Sequence, residues 1–502
     1  MSIFMKSKLL LLSGWLFLAS WMGAQTTQQP PLPPPPAHID IDEPKKDHKI
    51  TPAEATDLFQ SVDEILEFAS KDTLLPMKHP VKKAMVGREQ VEKYVGDKFK
   101  DDADRIRFER SELVMKKFGL LPRRFNLHDF LIKLLGEQVA GYYDEKSKAI
   151  NLLDWIALDM QKPVMAHELT HALQDQNFDL EKMMKKGEEI EKRGAQDPNA
   201  LIGIDEESTA RSAVMEGQAM IVLFDYILAP SGRTMEESPQ LVDLMESQME
   251  KSGDSPLLDQ APLMLREDLL FPYGAGMKFI AKLLKAGGRK LAFTGVLERM
   301  PTTSREIMEP EEYLAGRKIA PLLLPDFGFL KKDFEPFDAG AIGELDVKIL
   351  LKQYAEQSVA DKLSPEWRGG SYYAAARRGT KPPDTNSSAH VALIYVSRWS
   401  NAKTAQEFAA IYASALPERY SKVSKAQLAA EHTGRQKYLS SDGPIFIQQE
   451  GDLVIAVESF DEPVADKLIA AVVKQLTAAV ASKPIQLTRS NDDPISIRVH
   501  SR

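Results

Sequence analysis

Three patterns in the 502-residue chain predict an α+β fold: a mainly helical domain with a small β-sheet, followed by a smaller α+β C-terminal domain. Apolar residues recur at helical spacing over most of 51–319. One period-two segment, VAGYYDEKSKAINLLD, interrupts them. A strand, helix, hairpin and helix then follow in order near the C-terminus. The boundaries read from these patterns are a signal segment over 1–24, a Pro-rich linker over 25–50, and the helical domain over 51–319. A second linker over 320–339, the α+β domain over 340–485 and a tail over 486–502 complete the chain.

The elements follow in chain order. Lys6 and Lys8 precede the apolar run LLLLSGWLFLASWMGA, Leu9 to Ala24, which has the layout of a signal peptide. It predicts export to a periplasmic or secreted location, with cleavage after Ala24. Left uncleaved, the same run would anchor the chain in a membrane. QTTQQPPLPPPPAHIDIDEPKKDHK is then an extended linker. From Thr51 to about Gln138 the pattern is helical, opened by a capping box of Thr51 and Glu54. The period-two segment reads as a hairpin turning at Asp144 to Lys148. A helix over PVMAHELTHALQDQ follows, with Pro163 near its first turn. IDEESTARSAVMEGQAMIVLFDYILA, Ile204 to Ala229, is a long apolar helix, and further helices run to about Glu298.

Beyond the Pro-rich passage from Ala320 to Phe337, AIGELDVKILLKQYAEQS is helical and SSAHVALIYVSRW is a strand. SNAKTAQEFAAIYASAL is a helix. GPIFIQQEGDLVIAVESF is a hairpin turning near Glu450 to Asp452, and ADKLIAAVVKQLTAAV is the last helix.

Composition narrows the function. Hydrophobic content of 43% and charged content of 27% are those of a globular protein. A formal charge of −9 offers no basic surface for nucleic acid. The absence of cysteine excludes disulfides, thiolate ligands and cysteine nucleophiles, so any metal must be held by nitrogen and oxygen. Oligomeric state is not legible.

His167 and His171 stand at i and i+4, which on a helix places two imidazoles on one face within reach of one cation. Glu168 points roughly 100° away and cannot ligate beside them. It can take a proton from a water on the metal. Asn177 and Gln174 occupy the positions where a longer histidine motif would need His and Gly, so the third ligand must be a carboxylate from elsewhere. Glu216 is the candidate, because it is an acidic residue inside the apolar run AVMEGQAM, where an unpaired charge is costly. The alternative is an ordinary ion pair of Glu216 with a neighbour such as Arg211. Gly217 would allow two helices to approach closely, and Glu206 and Glu207 are weaker candidates in a polar turn. His128 and His390, with no motif around them, read as structural.

His167-Glu168-x-x-His171 followed by a helix bearing Glu216 resembles the gluzincin branch of the zincin metallopeptidases. The wider pattern HELTHALQDQ, EGQA, FPYGAG and PTTSREIMEPEEY is similar to that of uncharacterised secreted bacterial metallopeptidases, over roughly Glu137 to Tyr313. The gap from His171 to Glu216 is longer than in thermolysin-like members, and the charged stretch from Glu181 to Ala200 would supply the insertion. Glu309 stands where that pattern leads one to expect histidine, away from the metal.

The resemblance implies a zinc peptidase: Zn2+ held by His167, His171 and Glu216, an acidified water in the fourth position, and Glu168 as general base. It implies a peptide or protein substrate, added to an edge strand around Tyr142 to Leu152. Tyr273 would stabilise the oxyanion or simply pack in the core. Asp175 would orient a histidine or lie at the surface, and Arg211 would stand behind the ligands. A non-catalytic binding protein on the same scaffold, and an envelope scaffold with a structural metal, are the competing readings. The C-terminal domain could serve docking, inhibition or assembly.

Overall fold

The helix expected after Thr51 forms as α1, Pro52–Thr73, and its capping box is present: Thr51 N donates to Glu54 Oε2 at 2.8 Å and Glu54 N to Thr51 Oγ1 at 3.3 Å. The computed structural model describes residues 49–98, 102–138, 141–194, 197–250, 256–379, 387–428 and 434–481. The stretches read as a signal segment and a tail, and nearly all of the first linker, lie outside these residues.

After α1 the chain departs from the uniformly helical expectation. Lys82–Val86 is a strand, β1, before helices Arg88–Lys98 (α2), Asp102–Phe118 (α3) and Leu127–Gln138 (α4). Pro76 and Pro80 interrupt helical backbone just ahead of it, and Gly87 closes it. The expected hairpin forms as β2, Tyr142–Asp144, and β3, Ala149–Leu153. The sheet order is β1-β3-β2, with β1 parallel and β2 antiparallel to β3.

The motif helix α5 spans Leu158–Phe178, so Pro163 lies in its second turn rather than its first. The short helix α6, Leu180–Gly194, leads to α7, Asn199–Leu228. α7 is long and apolar enough to cross a membrane, yet most of that stretch is buried in the protein, packed on α5 and on α9. Pro239–Glu250 (α8) and Leu263–Lys290 (α9) follow. α9 breaks at Gly287–Gly288, where Gly288 takes φ 66°, and continues into a π-helical turn, Leu291–Gly295. Helix α10, Ser304–Met308, comes next.

The close approach at Gly217 is to α9, not to the motif helix. A Cβ on Gly217 would sit 2.3 Å from the Gly276 carbonyl, and one on Gly276 would sit 2.2 Å from Ala213 O. Only glycine at both positions lets the two backbones meet.

The stretch read as a linker, 320–339, is packed structure. Leu322, Leu324, Phe327 and Leu330 are buried, and Phe334–Ala341 is an edge strand, β4. Helix α11, Glu344–Tyr354, and strands Trp367–Arg377 (β5) and Val391–Trp399 (β6) come next. Then follow α12, Ala402–Ser414, and strands Ser424–Ala426 (β7), Arg435–Ser440 (β8), Gly443–Glu450 (β9) and Leu453–Glu458 (β10). Helix α13, Glu462–Ala481, ends the described chain. The antiparallel sheet runs β4-β5-β6-β10-β9-β8-β7. Alternate residues serve its two faces: Ile394, Val396 and Ile455 pack with α13, while Leu393, Tyr395, Val454 and Ala456 join the core of the helical region. Phe118 of α3 lies edge-on to both Tyr372 and Tyr395. The larger of two hydrophobic cores therefore runs from α1 to β10, and the smaller lies between the sheet and α13.

Arg289 clamps three helices near this core. It meets Asp72 Oδ1 at 2.9 Å and Asp225 Oδ2 at 2.7 Å. Burial and the charge of Asp225 push Asp72 up to about 7, against the pull of Arg289. A carboxyl raised above its unfolded value, near 3.9, contributes stability that is full below that value and lost as pH rises to about 7. Asp72→Asn should flatten this dependence. Thermal melts at pH 4 and pH 8 should show the wild type losing more stability between them than the variant. Equal losses would refute the assignment.

Candidate metal centre

Two helices bring the three donors together. On α5, the i and i+4 spacing aims both imidazoles at α7, and α7 returns Glu216 between them. His167 Nε2 lies 3.0 Å from Glu216 Oε2, His171 Nε2 lies 3.5 Å from the same oxygen, and the two Nε2 atoms are 3.2 Å apart. Metal–ligand distances of about 2.0–2.1 Å at tetrahedral angles put donor atoms on the order of 3.3 Å apart. The triangle fits that spacing, so this buried group could bind a metal ion.

Its electrostatics follow from burial. Although burial works to raise it, Glu216 is held at about 2 by the charge of His171 and by bonds from both histidines. Burial works to lower His171, but the Glu216 carboxylate outweighs it and raises the imidazole to about 9. Glu168 lies outside the triangle. Its Oε2 accepts from Tyr143 N at 2.9 Å, and burial raises its carboxyl, with the charge of Glu216 adding. These four side chains are between 0% and 4% exposed.

Tyr273 comes to the site from α9. Its ring stacks 6.3 Å from His167 at an interplanar angle of 23°. Burial first, then the charges of Glu216 and Glu168 and a hydrogen bond with Glu216, hold its hydroxyl well above the usual range.

The remaining candidates lie outside the triangle. Asp175 orients no histidine: it accepts from Tyr143 Oη at 2.7 Å, Lys148 Nζ at 2.8 Å and Leu180 N at 3.1 Å, tying the hairpin to α5. Arg211 does not pair with Glu216. Five positions earlier on the helix, it points roughly 140° away, and its Nη2 meets Ser208 Oγ at 3.4 Å. Glu206 accepts from Ser304 N and Oγ, and Glu207 is exposed. Neither His128, beside Asp129, nor His390, edge-on to Phe337, enters the cluster. Glu309 lines a separate cleft of about 730 Å³. The edge expected around Tyr142 to Leu152 is smaller than that, because β3 is the central strand and, of the two hairpin strands, only β2 is an edge, with its Tyr143 N–H already taken by Glu168.

Sequence reasoning missed two glutamines. Gln174 and Gln218 are fully buried and bond toward His171. The signal that marked Glu216, a polar residue in an apolar helix, marks them equally. No family model, curated protein or solved structure matches this chain.

The centre depends on the glycine contact between α7 and α9. Gly276→Ala should cost about 1–3 kcal/mol of stability by overpacking and weaken metal binding by displacing α7. Urea unfolding and zinc titration of the variant would check this; unchanged values in both would exclude the role of the contact.

Proposed function

We propose that the chain is a zinc-dependent peptidase of the gluzincin type, acting outside the cytoplasm on peptide or protein substrates. The observation that carries the reading is the matched triangle of His167, His171 and Glu216 with Glu168 beside it and outside it. Two imidazoles and one carboxylate, with no thiolate in the chain, form the donor set of catalytic zinc. Zinc held there would supply Lewis acidity and an acidified water.

The chain's own residues divide the remaining work. Glu168, raised by burial, is poised to accept the proton of the attacking water and return it to the leaving amine. The Tyr143 N–H holds its Oε2 and fixes the carboxyl beside the ligands. Tyr273 keeps its proton over the working range and can donate to the oxygen on which charge develops. Glu216 stays ionised and would set its negative charge against that of the metal cation.

One observation favours a second reading. The near-complete burial of all four residues suits a non-catalytic binding protein on a zincin-like scaffold. Zinc content and cleavage of a mixed peptide library separate the two. Glu168→Ala should keep zinc and lose about 10²–10⁴-fold in rate, and Glu216→Ala should lose both zinc and activity. A wild type that is full of zinc and cleaves no peptide would support the binding protein instead. Zinc bound by Glu216→Ala as tightly as by the wild type would remove Glu216 from the ligand set.

A further inference from the structure

Buried amide side chains need partners at both ends, and Gln174 and Gln218 find theirs in series. His171 Nδ1 lies 2.8 Å from Gln174 Oε1. Gln174 Nε2 donates to Met215 O at 3.1 Å and to Gln218 Oε1 at 2.9 Å. Gln218 Nε2 donates to Ala292 O at 2.7 Å and Phe293 O at 3.0 Å. Both glutamines are 0% exposed, so bulk solvent does not reach these contacts.

The direction of each bond follows from the far end. Backbone carbonyls only accept, so Gln218 must turn its amino group to Ala292 and Phe293. Its Oε1 then faces Gln174 and can only accept, which forces the amino group of Gln174 toward it. The Met215 carbonyl demands the same orientation independently. Gln174 Oε1 is left facing His171, and Nδ1 must therefore carry hydrogen. An imidazole protonated at Nδ1 has only Nε2 to offer a metal, and Nε2 is the atom aimed at Glu216 and His167.

We infer that Gln174 and Gln218 are positioning residues: a two-amide relay, anchored on carbonyls of the π-helical turn after α9, that fixes the tautomer and ring plane of His171. The inference rests on the metal-centre reading above. Among the described residues the relay serves His171 and not His167, whose Nδ1 is buried and meets no hydrogen-bond partner there. It also joins α5 to α7 at the level of Glu216, because Gln174 bonds to the residue before the ligand and to the second residue after it. Being neutral, it orients His171 without adding a third carboxylate to a site that already holds Glu168 and Glu216.

The experiment uses the full-length chain with 15N-labelled histidine and zinc alone as probe. In the wild type, the His171 Nδ1–H should give a slowly exchanging ring resonance in both metal-free and zinc-loaded protein. Gln174→Leu should abolish that resonance and weaken zinc binding about 10–100-fold in chelator competition. Gln218→Leu should keep the resonance, because Met215 O still orients Gln174, and weaken zinc binding less. A zinc-loaded wild type with His171 protonated at Nε2 would overturn the relay without any variant having to fold. So would a folded Gln174→Leu that binds zinc like the wild type. A wild type that takes up no zinc but keeps the slow Nδ1–H would overturn the metal centre and leave the relay standing.

Discussion

An ionised carboxylate buried in the middle of a long apolar helix is the constraint on which the rest of this structure depends. Glu216 has no solvent to stabilise it, and an isolated buried charge would instead take up a proton. Two imidazoles from α5 meet it, and their attraction outweighs burial. That requirement fixes the packing of α5 on α7, and with it the face that each helix turns inward. α9 must then come close enough to seal the site, which the paired glycines at 217 and 276 permit.

The surrounding polar groups are arranged to leave this pairing undisturbed. Asp175, a carboxylate close in sequence to the ligands, is occupied by Tyr143, Lys148 and the Leu180 amide. Arg211, the nearest cation on α7, is turned away by helical phase. Glu168 is held by a backbone amide of the edge strand rather than by the histidines. The result is a compact donor triangle with a separate carboxyl nearby, the arrangement on which the proposed function rests.

Much of this was legible in the residues, and the failures have physical reasons. α1, the hairpin, α5, α7 and the members of the closing strand-helix-hairpin-helix succession carry strong periodicity or capping signals and form, although the unexpected strands β7 and β8 stand between that helix and its hairpin. β1 is short and begins with two lysines, and β5, WRGGSYYAAAR, is rich in glycine and alanine, which favour other backbones. β4 sits in a passage whose prolines and glycines read as a boundary, yet an edge strand tolerates them. At the site, the i, i+4 spacing placed His167 and His171, and the cost of a buried charge placed Glu216. Contacts between distant segments, such as Tyr143 to Glu168 or Gln218 to the π-helical turn, depend on tertiary packing that no local pattern encodes.

X-ray absorption at the zinc edge of the full-length, zinc-loaded protein tests the central claim most directly. The account predicts one tightly held ion in a four-coordinate site, with two imidazoles and oxygen donors at about 2.0–2.1 Å. A shell of six oxygens without imidazole, or no stoichiometric zinc, would contradict it.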